Sequence, residues 1–358
     1  MIDSASMPAP PKSRRNRLLA LLALLGAGLP LLWSGLWFYG ASQIGQRLDA
    51  WIAQQHQLGS DWTCPQRSIT GFPWQIELAC DQPSLASLSG PSEMTGRLQS
   101  LHVLAQITSP DRVEIVAQSP LVLDIADQEQ RITLAWESLT LTIGGLMHGT
   151  TQADLVVTQP RIAVLASAQA EQTGSAAAFT LHVQPNPQRP ASEHVIDARM
   201  TLASLLAPAL DGLEGSKASA EIAAALTLSQ TVFADDMTWP QQLERWRQGG
   251  GRVDVTSASL TKGGFKLDGS GHVMLDDLHR VEGRINAQAT GLAPILARLG
   301  VPVAALNVGN LLNGLLKLGK GQPSPATDPG AMPLPLKFEA GEIFFGPLKM
   351  PVTLRPLY

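Results

Sequence analysis

The chain of 358 residues sets 26 Lys and Arg against 30 Asp and Glu, for a formal net charge of −4, and is 44% apolar but only 16% charged. That apolar share over this length supplies a large core and excludes a disordered chain. Basic residues form no run beyond the first 17 positions, so the electrostatic footprint for nucleic acid is missing and that partner class is excluded.

The first element is an uninterrupted apolar run, Leu18 to Tyr39, preceded by Lys12, Arg14, Arg15 and Arg17 and closed by Trp33, Trp37, Phe38 and Tyr39. At about 1.5 Å of rise per residue it covers roughly 30 Å, the thickness of a bilayer's hydrocarbon core. The pattern predicts a basic cytoplasmic N-terminus over 1–17 and one membrane-spanning helix over 18–40. Basic residues before the run place the rest of the chain outside the cytoplasm. A cleaved secretory signal is the alternative, although its apolar region is usually about 7 to 15 residues long. Both readings export the body.

Ile44, Leu48, Trp51 and Ile52 then recur at helical spacing with Gly59 just past them, which predicts an amphipathic linker helix within 41–60. Cys64 and Cys80 are the only cysteines. In an oxidising compartment they are expected to pair, a bridge worth on the order of 3 kcal/mol. Two cysteines cannot build a zinc site, and neither a metal nor a cofactor is expected.

From Arg67 onward the period changes from 3.6 to 2. Leu101, Val103, Ala105 and Ile107 alternate with polar neighbours, followed by sets at Val113–Ala117, Leu121–Ile125, Ile132–Trp136 and Leu139–Ile143. Pro110, Pro120 and Gly144-Gly145 punctuate them, so the simplest architecture is an antiparallel meander of short, half-buried strands. Pro185, Pro187 and Pro190 make 185–190 the best internal boundary, between a first β-rich half, 61–184, and a second, 191–358.

In the second half, Met237–Gln248 is predicted helical. Trp239-Pro240 opens it, Leu243 and Trp246 share a face, and Gly249, Gly250 and Gly251 stop it. Phe265, Leu267, Gly269, Gly271, Val273 and Leu275 then fall on one face of a strand, with Lys266, Asp268, Ser270 and His272 on the other. One apolar and one solvated face predict an antiparallel sheet curved over helices, a second sheet or lipid. Leu292–Leu299 and Ala304–Leu318 predict helices near 292–318 that cover the sheet, with a second membrane contact as the alternative. A final hairpin, Leu336–Leu354, holds Gly346-Pro347 in its turn region. The fold class expected is mainly β with a few helices (α+β), as one groove-shaped sheet or two sheets.

Three local patterns carry a resemblance: Ile69-Thr70-Gly71-Phe72-Pro73-Trp74 between the cysteines; Trp239-Pro240, Trp246 and Gly249-Gly250 leading into strands with Leu267-Asp268-Gly269-Ser270-Gly271; and Gly341 followed by Phe345-Gly346-Pro347-Leu348. Together they resemble the uncharacterised bacterial envelope proteins grouped as domain of unknown function family 2125. The second pattern is also similar to the C-terminal repeats of AsmA-like proteins. That similarity implies one N-terminal helix in the inner membrane, a periplasmic body, a long curved β-sheet with an apolar groove, and a role in accommodating or moving phospholipid. The local reading of Gly71 to Trp74 is a disulfide-clamped hairpin, with Trp74 starting the next strand on its buried side. Its alternative is a lipid-contacting aromatic tip made by Phe72 and Trp74.

No catalytic constellation stands out, and an enzyme is not expected. The zinc-protease, phosphate-loop and nucleophile-elbow patterns are absent, and the seven histidines sit singly in sequence. Asp276-Asp277 and Asp235-Asp236 read as strand-end and helix-start residues. The expected function is lipid binding or conveyance for envelope maintenance by an inner-membrane-anchored periplasmic protein. The groove residues proposed are Phe265, Leu267, Val273, Leu275, Leu101, Val103 and Ile107, each of which serves equally well as ordinary core. The alternative is an envelope scaffold that binds another protein through an edge strand or the segment Ala304–Leu318.

Overall fold

A computed structural model describes residues 14–87, 93–147, 151–167, 170–208, 211, 215–232, 236–291, 332–345 and 348–358. The predicted helices near 292–318 and the Gly346-Pro347 turn lie outside the described residues. The chain opens with α1 (Arg14–Gln57), one helix of 44 residues that runs without interruption through the predicted span and the predicted linker. Trp37 and Ala41, both buried, dock at the junction between those two segments, so packing carries the helix across it. Among the described residues no helix is long and apolar enough to cross a membrane; the side chains of 14–21 and 23–25, which include the start of the apolar run, lie outside them.

Among the described residues twenty strands follow. They are β1 (Ser60–Thr63), β2 (Gln66–Thr70), β3 (Gln75–Asp81), β4 (Ser84–Ser87), β5 (Met94–Gln106), β6 (Val113–Ile125), β7 (Gln130–Ala135), β8 (Ser138–Gly144), β9 (Gln152–Thr158) and β10 (Arg161–Ala166). The rest are β11 (Gln172–Ser175), β12 (Ala178–Pro185), β13 (Ile196–Leu205), β14 (Ala220–Leu228), β15 (Val253–Lys262), β16 (Phe265–Leu275), β17 (Val281–Thr290), β18 (Met332–Glu339), β19 (Glu342–Phe345) and β20 (Leu348–Thr353). All belong to one sheet and every pairing is antiparallel, so the protein is mainly β with two helices among the described residues.

The topology is a meander of long strands folded along a crease. The C-terminal part of β6 pairs with β7 while its N-terminal part pairs with β8. In the same way β10 continues from β9, and β12 from β11, each half keeping its own neighbours. The crease runs through Ser119-Pro120, Trp136-Glu137, Gln159-Pro160 and Ala176-Ala177. Pro120 and Pro160 lack the N–H that a regular ladder needs. Trp136 fastens the bend by donating its indole N–H to the Ala117 carbonyl at 2.8 Å, while Ser119 Oγ donates to the Trp136 carbonyl at 2.9 Å. Beyond β12 the meander continues strand by strand to β20.

The Pro-rich segment 185–190 does not interrupt the sheet. Pro185 pairs with Ile196, and the Asn186 N–H donates to the Val195 carbonyl, so the segment is the connection between neighbouring strands. The terminal hairpin is a three-strand meander, because the chain reverses at Ala340-Gly341, both at positive φ, before β19 begins. Cys64 and Cys80 form the expected disulfide, clamping the start of β2 to the end of β3. The second helix, α2 (Trp239–Gln248), carries a capping box at Thr238 and Gln241 with Pro240 in its first turn.

Candidate functional site: a continuous apolar sheet face

Antiparallel register lines up cross-strand neighbours, so the face of every strand follows from its partners. One row begins at Cys80 and passes through Leu101, Ala117, Leu139, Val157, Phe179, Leu202, Ile222, Leu260, Leu267 and Ala289 to Met332. A second, parallel row starts at Ile69 and Leu78 on β2 and β3 and runs through Val103 and Leu181 to Ala287 and Leu334 on β18. It touches thirteen strands without meeting a polar side chain. Twelve steps at about 4.8 Å give roughly 58 Å, near twice the thickness of a bilayer's hydrocarbon core. Residue bulges between Ala225 and Leu226 leave the alternation intact, because the extra residue on β15 restores Val255 to the same side as Leu226.

The opposite face is polar. Along it Gln184, Asp197, Thr227, Asp254, His272, Arg284 and Lys337 are neighbours in register. Histidines that sit singly in sequence find carboxylates here. His102 Nδ1 lies 3.0 Å from Glu77 Oε1, and His182 Nδ1 lies against Asp154 Oδ1. The bond to Asp154, supported by Gln184, raises the His182 pKa above its ordinary value near 6.5.

Few side chains of the apolar face are deeply covered. Among the described residues the buried apolar side chains are mostly small, and no large side chain is fully buried. Two helices lie on this face. At the β2–β3 end, α1 packs with Gly45 against Ile69, which opens the second row, and with Gly40 against Ile76, two residues before Leu78 on the same strand face. Trp37 donates its indole N–H to the Gln75 carbonyl at 2.9 Å, and Arg67 pairs with Asp49 of the helix. The apolar face therefore begins where α1 docks.

At its far end α2 roofs a cavity of about 320 Å³. Leu228, Val253, Val273, Leu275 and Val281 form the sheet side, while Trp239, Leu243 and Trp246 come from the helix and Leu357 from the C-terminus. Trp246 donates to the Ser229 carbonyl at 2.7 Å. A polar latch closes the rim: Glu244 accepts from Arg247, Gln248 and the Tyr358 hydroxyl, Arg247 also reaches Asp277, and the Tyr358 ring stacks on His279 at 4.3 Å. Arg247 first, then Tyr358, holds the Glu244 carboxyl well below the usual carboxylate range. Burial, then the bond to Glu244, pushes the Tyr358 phenol up to about 12.

Leu101 and Leu267, far apart in sequence, thus stand on one row, and Val103 stands on the next. Val273 and Leu275 line the roofed cavity, and Phe265 lies on the same strand face at its start. Ile107 lies just past the end of β5 and outside the rows; its N–H donates to the Trp74 carbonyl. Trp74 is not on a buried strand face either. It is 66% exposed and precedes β3, because the turn closed by the Gln75 N–H on the Gly71 carbonyl swings it toward α1. Trp239 and Pro240 start α2, and Gly249 and Gly250 follow it, with Gly250 at φ +75°. Sequence reasoning missed Leu357, Tyr358, Glu244 and His279, since no periodicity links a C-terminal pair to a helix more than 100 residues earlier.

A single antiparallel sheet with one apolar face, met by a helix at each end, is the class of protein that this fold and site define. The chain belongs to the bacterial family described as uncharacterized protein conserved in bacteria (DUF2125), whose profile matches residues 37–351. The match thus opens at Trp37, the docked indole of α1. No curated protein and no solved structure matches the chain.

Proposed function

We propose that this is a single-pass inner-membrane protein whose periplasmic body holds the acyl chains of phospholipid on its apolar sheet face, conveying them for envelope maintenance without a covalent step. One observation carries the reading: the apolar rows start against α1 and continue over thirteen strands. A lipid leaving the bilayer beside such an anchor meets hydrocarbon-like surface throughout. Each methylene removed from water contributes about 0.8 kcal/mol, so a chain laid along the rows is retained by burial alone. The basic flank and the apolar run Leu18–Tyr39 support the anchor and its orientation. The resemblance to AsmA-like proteins supports the same placement and role.

Photocrosslinking in cells tests this. Benzoylphenylalanine in place of Leu267 is expected to yield phospholipid adducts, and the same group in place of Ser270 on the opposite face is expected to yield none. Protein adducts alone at position 267 would refute lipid as the occupant and leave the scaffold reading in its place.

A further inference from the structure

We infer that the turn Gly71–Trp74 is a second membrane contact, an aromatic tip that enters the lipid interface beside α1. This inference rests on the membrane-anchored reading above. The tip docks on the C-terminal part of the apolar run: Trp33 donates its indole N–H to the Pro73 carbonyl at 3.0 Å, and its ring lies 6.3 Å from that of Trp74. Phe72 stacks on Phe38 at 6.1 Å and meets Trp37 edge-on at 5.7 Å.

Trp33 lies six residues before Tyr39, so at about 1.5 Å per residue it sits roughly 9 Å inside the end of the apolar run. Helical side chains also lean toward the N-terminus, which carries the contact deeper still. If the run spans the bilayer, the tip is drawn below the level of Tyr39. Its chemistry suits that depth. From Ile69 to Ile76 the sequence holds no charge, and Phe72 and Trp74 are 49% and 66% exposed. The tip's backbone is also largely satisfied from within the protein. Gln75 donates to the Gly71 carbonyl, Ile107 to the Trp74 carbonyl, Trp33 to Pro73 and Trp37 to Gln75, while Pro73 has no N–H to leave unpaired. Unpaired backbone is what keeps ordinary loops out of lipid, and amphipathic aromatic rings favour the headgroup level. The contact would hold the β2–β3 end of the sheet, where the apolar rows begin, against the bilayer surface.

The test is depth measurement on the full chain in phosphatidylethanolamine and phosphatidylglycerol vesicles. The native cysteines are paired, so a single introduced cysteine takes a spin label selectively. Labels are placed at Phe72→Cys, Trp74→Cys, Leu31→Cys in the apolar run and Ser270→Cys on the polar face. The expected result is that positions 72 and 74 resemble position 31, favouring collision with oxygen over a water-soluble nickel chelate, while position 270 favours the chelate. Chelate access at 72 and 74 with lipid immersion at 31 overturns the tip and leaves the anchor standing. Chelate access at 31 as well overturns both. Trp74→Phe, which keeps the ring and needs no label, gives an independent readout: it is expected to lower the share of tryptophan emission quenched by brominated lipid, and an unchanged share counts against the inference.

Discussion

Replacement of Leu267 by Asp separates an open lipid-binding face from an ordinary core. Leu267 lies between Leu260 and Ala289 in the first apolar row. On a face open to water the new carboxylate stays hydrated, and the loss is one cross-strand apolar pair, about 0.2–1 kcal/mol. In a closed core the same carboxylate would be an uncompensated buried charge costing several kcal/mol. Lipid affinity responds in the opposite way. An Asp facing hydrocarbon costs about 3 kcal/mol, which lowers occupancy of the row about 100-fold. Urea denaturation gives the first quantity, and native mass spectrometry of lipid retained by the full chain gives the second. The expected outcome is a stability loss near 1 kcal/mol with retained lipid falling to background. A stability loss of several kcal/mol, or a stable variant with undiminished lipid, would refute the reasoning. Asp268→Asn, on the polar face, is the control and is expected to leave both unchanged.

Gly251→Ala places a methyl 2.2 Å from the Trp246 ring, so the indole must leave the Ser229 carbonyl and the roof over the cavity loosens. The expected cost is about 3 kcal/mol, read as faster hydrogen exchange in α2 while the rest of the sheet stays protected. Replacing Cys64 and Cys80 together with Ser is expected to cost roughly 3 kcal/mol in denaturant midpoint analysis, because the closed loop spans 16 positions. The latch has a pH window. Glu244 titrates below its unfolded value of 4.5, so its contribution is present above that pH and is lost as acid protonates the folded carboxylate. Tyr358 titrates above 10.0, so its contribution is present below pH 10.0 and is lost as pH rises through about 12. Relative to its intrinsic rate, exchange of the Leu357 amide, which donates to the His279 carbonyl, should accelerate well below pH 4.5 and again as pH rises past 10.0, and Tyr358→Phe should accelerate it at neutral pH.

Local chemistry made much of this protein legible in its sequence. Alternation in Phe265–Leu275 assigns an apolar and a polar face because side chains in a strand alternate whatever their partners are. Trp239-Pro240, Leu243, Trp246 and the glycines at 249–251 delimit α2 within two residues for equally local reasons, capping and termination. The disulfide followed from there being only two cysteines. Tertiary structure alone decided the rest. Leu101 and Leu267 share a row because eight successive registers place them there, and a slip of one residue at any strand would have moved one of them to the wet face. No sequence signal reports that sum of registers, nor that Pro120 and Pro160 lie on one crease. The same holds for the tip and the latch. Trp74 reads as a strand residue until α1 offers it Trp33, and Tyr358 has no partner until the chain returns to Glu244. Contacts between distant segments follow from shape and packing, which the periodicity of one segment does not encode.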